Sequence, residues 1–227
     1  SPRFLEHPLA TNGVLDGNPV HESLLAIVAM APPDFSFDCA LDARKGLARG
    51  FAGHYLEAWL AGVAYVEATV RAPIDGPCDL VITTCGGHPL DLTFYQTVKG
   101  MVGALPILKP DGAIVIASRC AEGVGNAHFR EALLAERSLE GFAERLESPA
   151  WTFVPDQWQI EELAKAVRGR RVLLVSDLDP SEVPRLHVEP WRTVEAAVAS
   201  VLAEKGPDAK IAAIPKGPYV LPVLAES

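Results

Sequence analysis

Cys78–Gly103 reads CDLVITTCGGHPLDLTFYQTVKGMVG, the residue order of a buried strand, a glycine turn and a helix. Leu80–Thr84 is a short, apolar, β-branched run of the kind that fills a parallel strand covered on both faces. Cys85-Gly86-Gly87 forms the turn, where two glycines tolerate positive φ or let a ligand approach the backbone. Pro89 is predicted at the start of the helix, with Asp91 in or beside its first turn, where an acid suits the helix dipole. Within the helix, Tyr95 and Lys99 are four apart and Gln96 and Lys99 three apart, so an aromatic ring, an amide and an ammonium share one face. Open α/β folds bind ligands at such strand-to-helix turns, and helix N-termini favour anions. The plain alternative is that Gln96 and Lys99 form only the solvated face of an amphipathic helix.

Downstream, the alternation continues. A second buried strand, Ala113–Ser118, follows the Pro110-Asp111-Gly112 turn, and Gly123-Val124-Gly125-Asn126 opens a helix from Ala127 to Leu134. Helical patterns cover Ser138–Leu146, Gln159–Val167 and Trp191–Glu204, with strands at Arg171–Val175 and Lys210–Ile214 and an extended, proline-broken tail. The expected class is α/β: a mostly parallel layered sheet with flanking helices, preceded by the remnant of another domain. Upstream, Asn18-Pro19 starts a helix with His21 in its first turn. Phe35–Leu41 and Leu47–Ala52 form a hairpin, and His54–Val70 is a helix apolar enough to be largely buried, with His54 at its cap. Ala72–Pro77 is the candidate linker, giving expected domains of residues 1–72 and 77–227.

Composition narrows the function classes. Of 227 residues, 49% are hydrophobic and 22% charged, and a net charge of −9 argues against nucleic acid or an anionic membrane as partner. No apolar run reaches the length of a membrane span, and no signal-peptide pattern opens the chain. Cys39, Cys78, Cys85 and Cys120 lie far apart with no CxxC pair, so reduced thiols and a cytoplasmic setting are expected, with Cys78 and Cys85 buried beside the strand. A start at Ser1-Pro2 without methionine is expected of a fragment or processed product.

Common catalytic signatures are missing. Gly123-Val124-Gly125 lacks the third glycine of a dinucleotide fingerprint, because His128 stands there. There is no GxxxxGK[ST] loop, GxSxG elbow, HExxH pair or zinc-type cysteine spacing. His21, held by a rigid turn, is a candidate metal ligand, though a lone histidine is more often a cap or surface residue. Cys85 could be a thiol nucleophile at a helix start, but a small buried residue in a tight turn is the simpler reading.

Three stretches together resemble the nickel-pincer-nucleotide-dependent lactate racemase family. They are Gly13–Glu22 (GVLDGNPVHE), then Gly86–Asp91 (GGHPLD) with Tyr95–Gly100 (YQTVKG), and Pro155–Gln159 (PDQWQ); Gly217-Pro218-Tyr219 is similar to the family's closing segment. The resemblance implies a 2-hydroxy-acid racemase or epimerase, an isomerase. His21 matches the protein ligand of a nickel ion held by a modified nicotinate nucleotide. The reaction so implied has a base take the hydroxyl proton while the α-hydrogen passes as hydride to the cofactor, and the planar keto acid turns and receives it back on its other face. Gln96 and Lys99 match catalytic residues that hold and polarise substrate, and Tyr95 and Trp158 match aromatic substrate-binding residues. Imidazole suits nickel on softness grounds.

The departures are equally informative. The family's two proton-shuttling histidines and its carboxylate-binding arginine have no counterpart here, so a partner carrying the N-terminal portion is expected and the chain alone should be inactive. The family's cofactor-bonding lysine would fall near Phe4, yet no lysine precedes Lys45, which implies a nickel-pincer nucleotide held without a covalent bond. The rival reading is a non-catalytic binding or assembly domain that has lost the cofactor. An ordinary nicotinamide-dependent dehydrogenase is a third reading, but its glycine fingerprint is absent.

Overall fold

The structure, a computed structural model, describes residues 2–225. It divides into two compact units: Glu6–Arg71, and the first residues through Leu5 together with the chain from Ala72 onward. A four-residue helix, α1 (Pro2–Leu5), opens the chain.

In the Glu6–Arg71 unit, helix α2 (Pro19–Ala29) begins as its residues dictate. Asn18 caps it by accepting from the Val20 and His21 amides, and Pro19 occupies the first turn. Strands β1 (Ser36–Leu41) and β2 (Leu47–Gly53) pair antiparallel. Asp42 Oδ1 holds their turn by accepting from the amides of Arg44 and Gly46, both at 2.8 Å. Helix α3 (Tyr55–Val70) packs on this hairpin, with the Phe51 and Tyr65 rings 5.8 Å apart. His54 occupies its N-cap position but makes no side-chain cap bond. The expectation that α3 is largely buried fails: Ala58 is its one buried residue, and α2 has none. Apolar side chains such as Leu24, Ile27, Met30, Leu60 and Val66 are exposed. Across the described residues of this unit only Asn18, Ala40 and Ala58 are buried, so it has no core of its own to cover those faces.

The second unit is layered. Its elements run β3 (Arg71–Ile74), β4 (Cys78–Thr84), α4 (Phe94–Val102), β5 (Leu108–Ala117), α5 (Ala127–Ala135), α6 (Phe142–Leu146), α7 (Gln157–Val167), β6 (Arg171–Val175), β7 (Glu189–Trp191), α8 (Val194–Lys205), β8 (Ile211–Ile214) and β9 (Leu221–Leu224). Five strands form one parallel sheet in the order β7-β6-β5-β4-β8. Alternate residues of the central strands feed two cores. Val81, Ile114, Ile116, Val172 and Leu174 pack against α4, α5, α6 and α7. Leu80, Ala113, Val115 and Leu173 meet Ala197 and Val201 of α8. Both faces are therefore covered, and the strands read as continuous apolar runs.

Several boundaries differ from the sequence expectation. Pro110–Gly112 lies inside β5, where the register jumps from Cys78↔Leu108 to Leu80↔Ala113, so the turn residues become an irregularity within a strand. Trp191 ends β7, and α8 starts only after Thr193, whose hydroxyl accepts from the Ala196 amide. Part of the presumed linker is β3, which pairs with β9 from the tail. Strand order reverses between β4 and β8, and the segments after them approach closely. A Cβ on Gly217 would sit 2.5 Å from Thr84 O and 2.6 Å from Thr83 Oγ1. Gly217→Ala should therefore lower stability by about 1–3 kcal/mol, read as an earlier denaturant midpoint. An unchanged midpoint would mean the segment after β8 shifts at no cost.

Candidate functional site

Helix α4 starts later than its prolines and acids predict. Thr93 is the cap, accepting from the Gln96 amide at 3.3 Å, while Pro89 and Asp91 lie in the preceding turn. The Phe94 and Tyr95 amides donate to Gly123 O and Val124 O at 3.0 and 2.9 Å. With three first-turn donors engaged, the expected anion site at this helix end is closed. What α4 offers is its side-chain face.

Tyr95 anchors that face. Its ring meets Phe129 edge-on at 5.1 Å and Trp158 edge-on at 6.0 Å. Its hydroxyl donates to Asp156 Oδ1 at 3.3 Å, and Asn126 Nδ2 donates to Asp156 Oδ2 at 2.6 Å. Asp156 adopts a left-handed backbone (φ 64°) before α7 and makes no cap bond; its carboxylate ties α4 to the start of α5 instead. Gln159 Nε2 donates to Tyr95 O at 2.6 Å, fixing α7 against α4. Tyr95, Gln96, Lys99 and Trp158 are thus all carried on α4 and α7, which pack together. Asp156 and Asn126 are positioning residues that sequence reading missed as such, although Asp156 lies inside the PDQWQ motif.

Burial first, and the Asp156 carboxylate second, push the Tyr95 phenol up to about 12. Tyr95 is consequently a neutral donor throughout the working pH range. The difference in phenolate absorbance between wild type and Tyr95→Phe should place this titration near 12. A transition near the ordinary tyrosine value of about 10 would show that Tyr95 is solvated and not joined to Asp156.

Two polar groups on α4 lack partners. Gln96 Oε1 is buried with no hydrogen bond among the described residues. Lys99 is exposed, and its ammonium makes no ion pair or hydrogen bond among the described residues. Gly100 lets the helix sit close to the sheet, since a Cβ there would lie 2.8 Å from Thr84 O.

Cys85 is fully buried, with its sulfur 2.9 Å from Leu90 O and 3.1 Å from Gln96 O. Burial raises its thiol to about 11. A thiol so protonated and enclosed is a structural turn residue, not a nucleophile. Cys78 is buried too, and all four cysteines are free.

His21 belongs to the other unit. Asn18 Oδ1 accepts from its backbone amide at 3.4 Å, and its ring stacks on Trp59 at 5.0 Å with the planes 21° apart. Its ring nitrogens have no hydrogen-bond partner among the described residues. Trp59 has no local sequence signal; only the packing of α3 brings it to His21. No group of three or more His, Cys, Asp and Glu that could hold a metal occurs among the described residues.

Residues 74–221 match the family model of the lactate racemase C-terminal domain. The chain belongs to the lactate racemase family. It is 32% identical over 222 residues to a lactate racemase of Thermoanaerobacterium thermosaccharolyticum, and 32% over 220 residues to that of Lactiplantibacillus plantarum. Each alignment covers 96% of this chain and 51% of the relative, so the chain spans about half the length of the curated relatives it matches. The lactate racemase apoprotein of T. thermosaccharolyticum superposes with a TM-score of 0.89 at 29% identity, over 99% of this chain and 54% of that one. A Thermotoga maritima protein shares the fold alone, with a TM-score of 0.57 at 13% identity, over 92% of this chain and 54% of its own. The α/β layered class expected from the sequence is thus the fold of this lactate racemase family member. No helix among the described residues is long and apolar enough to cross a membrane.

Proposed function

We propose that this lactate racemase family member works as the C-terminal part of a 2-hydroxy-acid racemase or epimerase that uses a nickel-pincer nucleotide. The observation that carries the reading is the face of α4, where a buried amide oxygen and an ammonium three residues on both lack a partner among the described residues. An unmet buried acceptor costs about 1–3 kcal/mol, and a hydroxyl-bearing substrate supplies the missing donor. Gln96 holds the substrate hydroxyl. Lys99 binds the carboxylate or the alkoxide that develops in the reaction. Tyr95 and Trp158 wall the position and limit water around the keto acid.

His21 fits the cofactor. Its ring has no competing hydrogen bond among the described residues, and Trp59 holds its plane, as a single protein ligand to nickel requires. When bound, the nucleotide supplies the acceptor for the α-hydrogen. The lack of lysine before Lys45 supports non-covalent retention. The base for the hydroxyl proton lies outside this chain, in the half that the relatives have in addition. The exposed apolar faces of α2 and α3 support that half as the partner that covers them.

The test is elemental analysis of the chain joined to that half and co-produced with the cofactor-making enzymes, followed by a racemisation screen of hydroxy acids. Near-stoichiometric nickel with racemisation supports the proposal. Absence of nickel would favour the second reading, a binding or assembly domain, which the missing lysine also suits.

A further inference from the structure

The carboxyl edge of the parallel sheet carries an open cleft of about 500 Å³ that neither α4 nor His21 accounts for. Its lining includes the residues that follow all five strands. Gly86 and Gly87 come after β4, Arg119 after β5, Asp177 after β6, Arg192 after β7 and Lys216 after β8. The cleft includes the point between β4 and β8 where strand order reverses, which is where open α/β sheets take ligands, and its volume is that of a small-molecule site.

Its charges are unevenly matched. Arg119 pairs with Asp177 at 3.0 Å. The Arg192 guanidinium and the Lys216 ammonium make no ion pair or hydrogen bond among the described residues, so the cleft holds two cations outside any ion pair on a chain of net charge −9. Asp91 adds one carboxylate to the lining. The backbone is open as well: nothing lies within 4 Å of where a Cβ on Gly87 would be, so a ligand can approach the main chain there.

We propose that this cleft binds a phosphoryl dianion, with Arg192 and Lys216 as its two charge partners. With Asp91 counted the lining carries a formal charge of +1, so the preference rests on geometry: a phosphoryl group offers three terminal oxygens, enough for a guanidinium fork and an ammonium together, whereas a carboxylate offers two. The Arg192 guanidinium can take two phosphoryl oxygens in a fork while Lys216 acts as a point charge. A phosphate monoester places its organic part along the rest of the cleft, where Asp91 and Ser176 can accept from its hydroxyls. The site uses none of the side chains assigned above to the substrate or to nickel.

The test is calorimetric titration of the chain with ribose 5-phosphate, inorganic phosphate and lactate, repeated on Arg192→Ala/Lys216→Ala. Both residues are exposed, and circular dichroism checks that the variant keeps its fold. Wild type should bind phosphoryl ligands, the double variant should bind them about tenfold or more weakly, and lactate binding, assigned above to Gln96 and Lys99, should be the same in both. Tighter binding of the ester than of inorganic phosphate identifies an esterified ligand, and equal binding identifies free phosphate. Failure of wild type to bind either phosphoryl ligand overturns the proposal, as do unchanged phosphoryl affinity in the variant and lactate binding that is lost together with Arg192 and Lys216.

Discussion

Under the proposed function, replacing Lys99 with alanine should lower kcat/KM of the assembled protein for its hydroxy acid by about 2–4 kcal/mol of transition-state stabilisation, the scale for losing one oxyanion-type donor. Most of that loss should fall on kcat. Charge at the substrate oxygen grows as the hydroxyl proton leaves, so the ammonium binds the transition state more strongly than the ground state. Lys99 is exposed and without an ion pair among the described residues, so its removal breaks no structural contact and the fold should keep its melting temperature. Gln96→Ala should behave differently. It removes a buried acceptor that is unmet in the free protein, so stability should hold or rise while KM increases. A tenfold or smaller loss for Lys99→Ala, shared evenly between kcat and KM, would reduce Lys99 to a surface charge.

The legible parts of the sequence were those whose signals are local. The apolar run of β4, the Asn18-Pro19 helix start and the glycine-ended hairpin turn each follow from residues within a few positions, and the structure has them in place. Misreadings came where tertiary partners outweighed local chemistry. Pro89 and Asp91 look like a helix start, yet Thr93 supplies the cap and the 120–124 loop takes the next amides. Helix α3 looks buried by its apolar wheel, but burial depends on what lies opposite, and this unit holds too little chain to cover it. Gln96 and Lys99 could be placed on one face from spacing alone. That Gln96 is unsatisfied, that Asp156 forgoes capping to hold Tyr95, and that cations after β5, β7 and β8 line one cleft depend on residues far apart in the chain.

Replacing His21 with alanine should remove essentially all nickel from the assembled protein, measured by elemental analysis after gel filtration. The proposed site has one protein ligand to the metal, and alanine has no donor atom to replace the imidazole nitrogen. Folding should survive, because the side chain makes no hydrogen bond among the described residues and the Asn18 cap contacts only its backbone amide. Trp59→Ala separates ligation from orientation. It leaves the imidazole but takes away the ring stacked on it at 5.0 Å, so nickel affinity should fall on the order of 10–100-fold, the effect typical of groups that orient a ligand. Nickel held equally by wild type and His21→Ala would end the ligand assignment. Nickel lost in His21→Ala but unchanged in Trp59→Ala would keep the ligand and show that the stacked ring does not set its orientation.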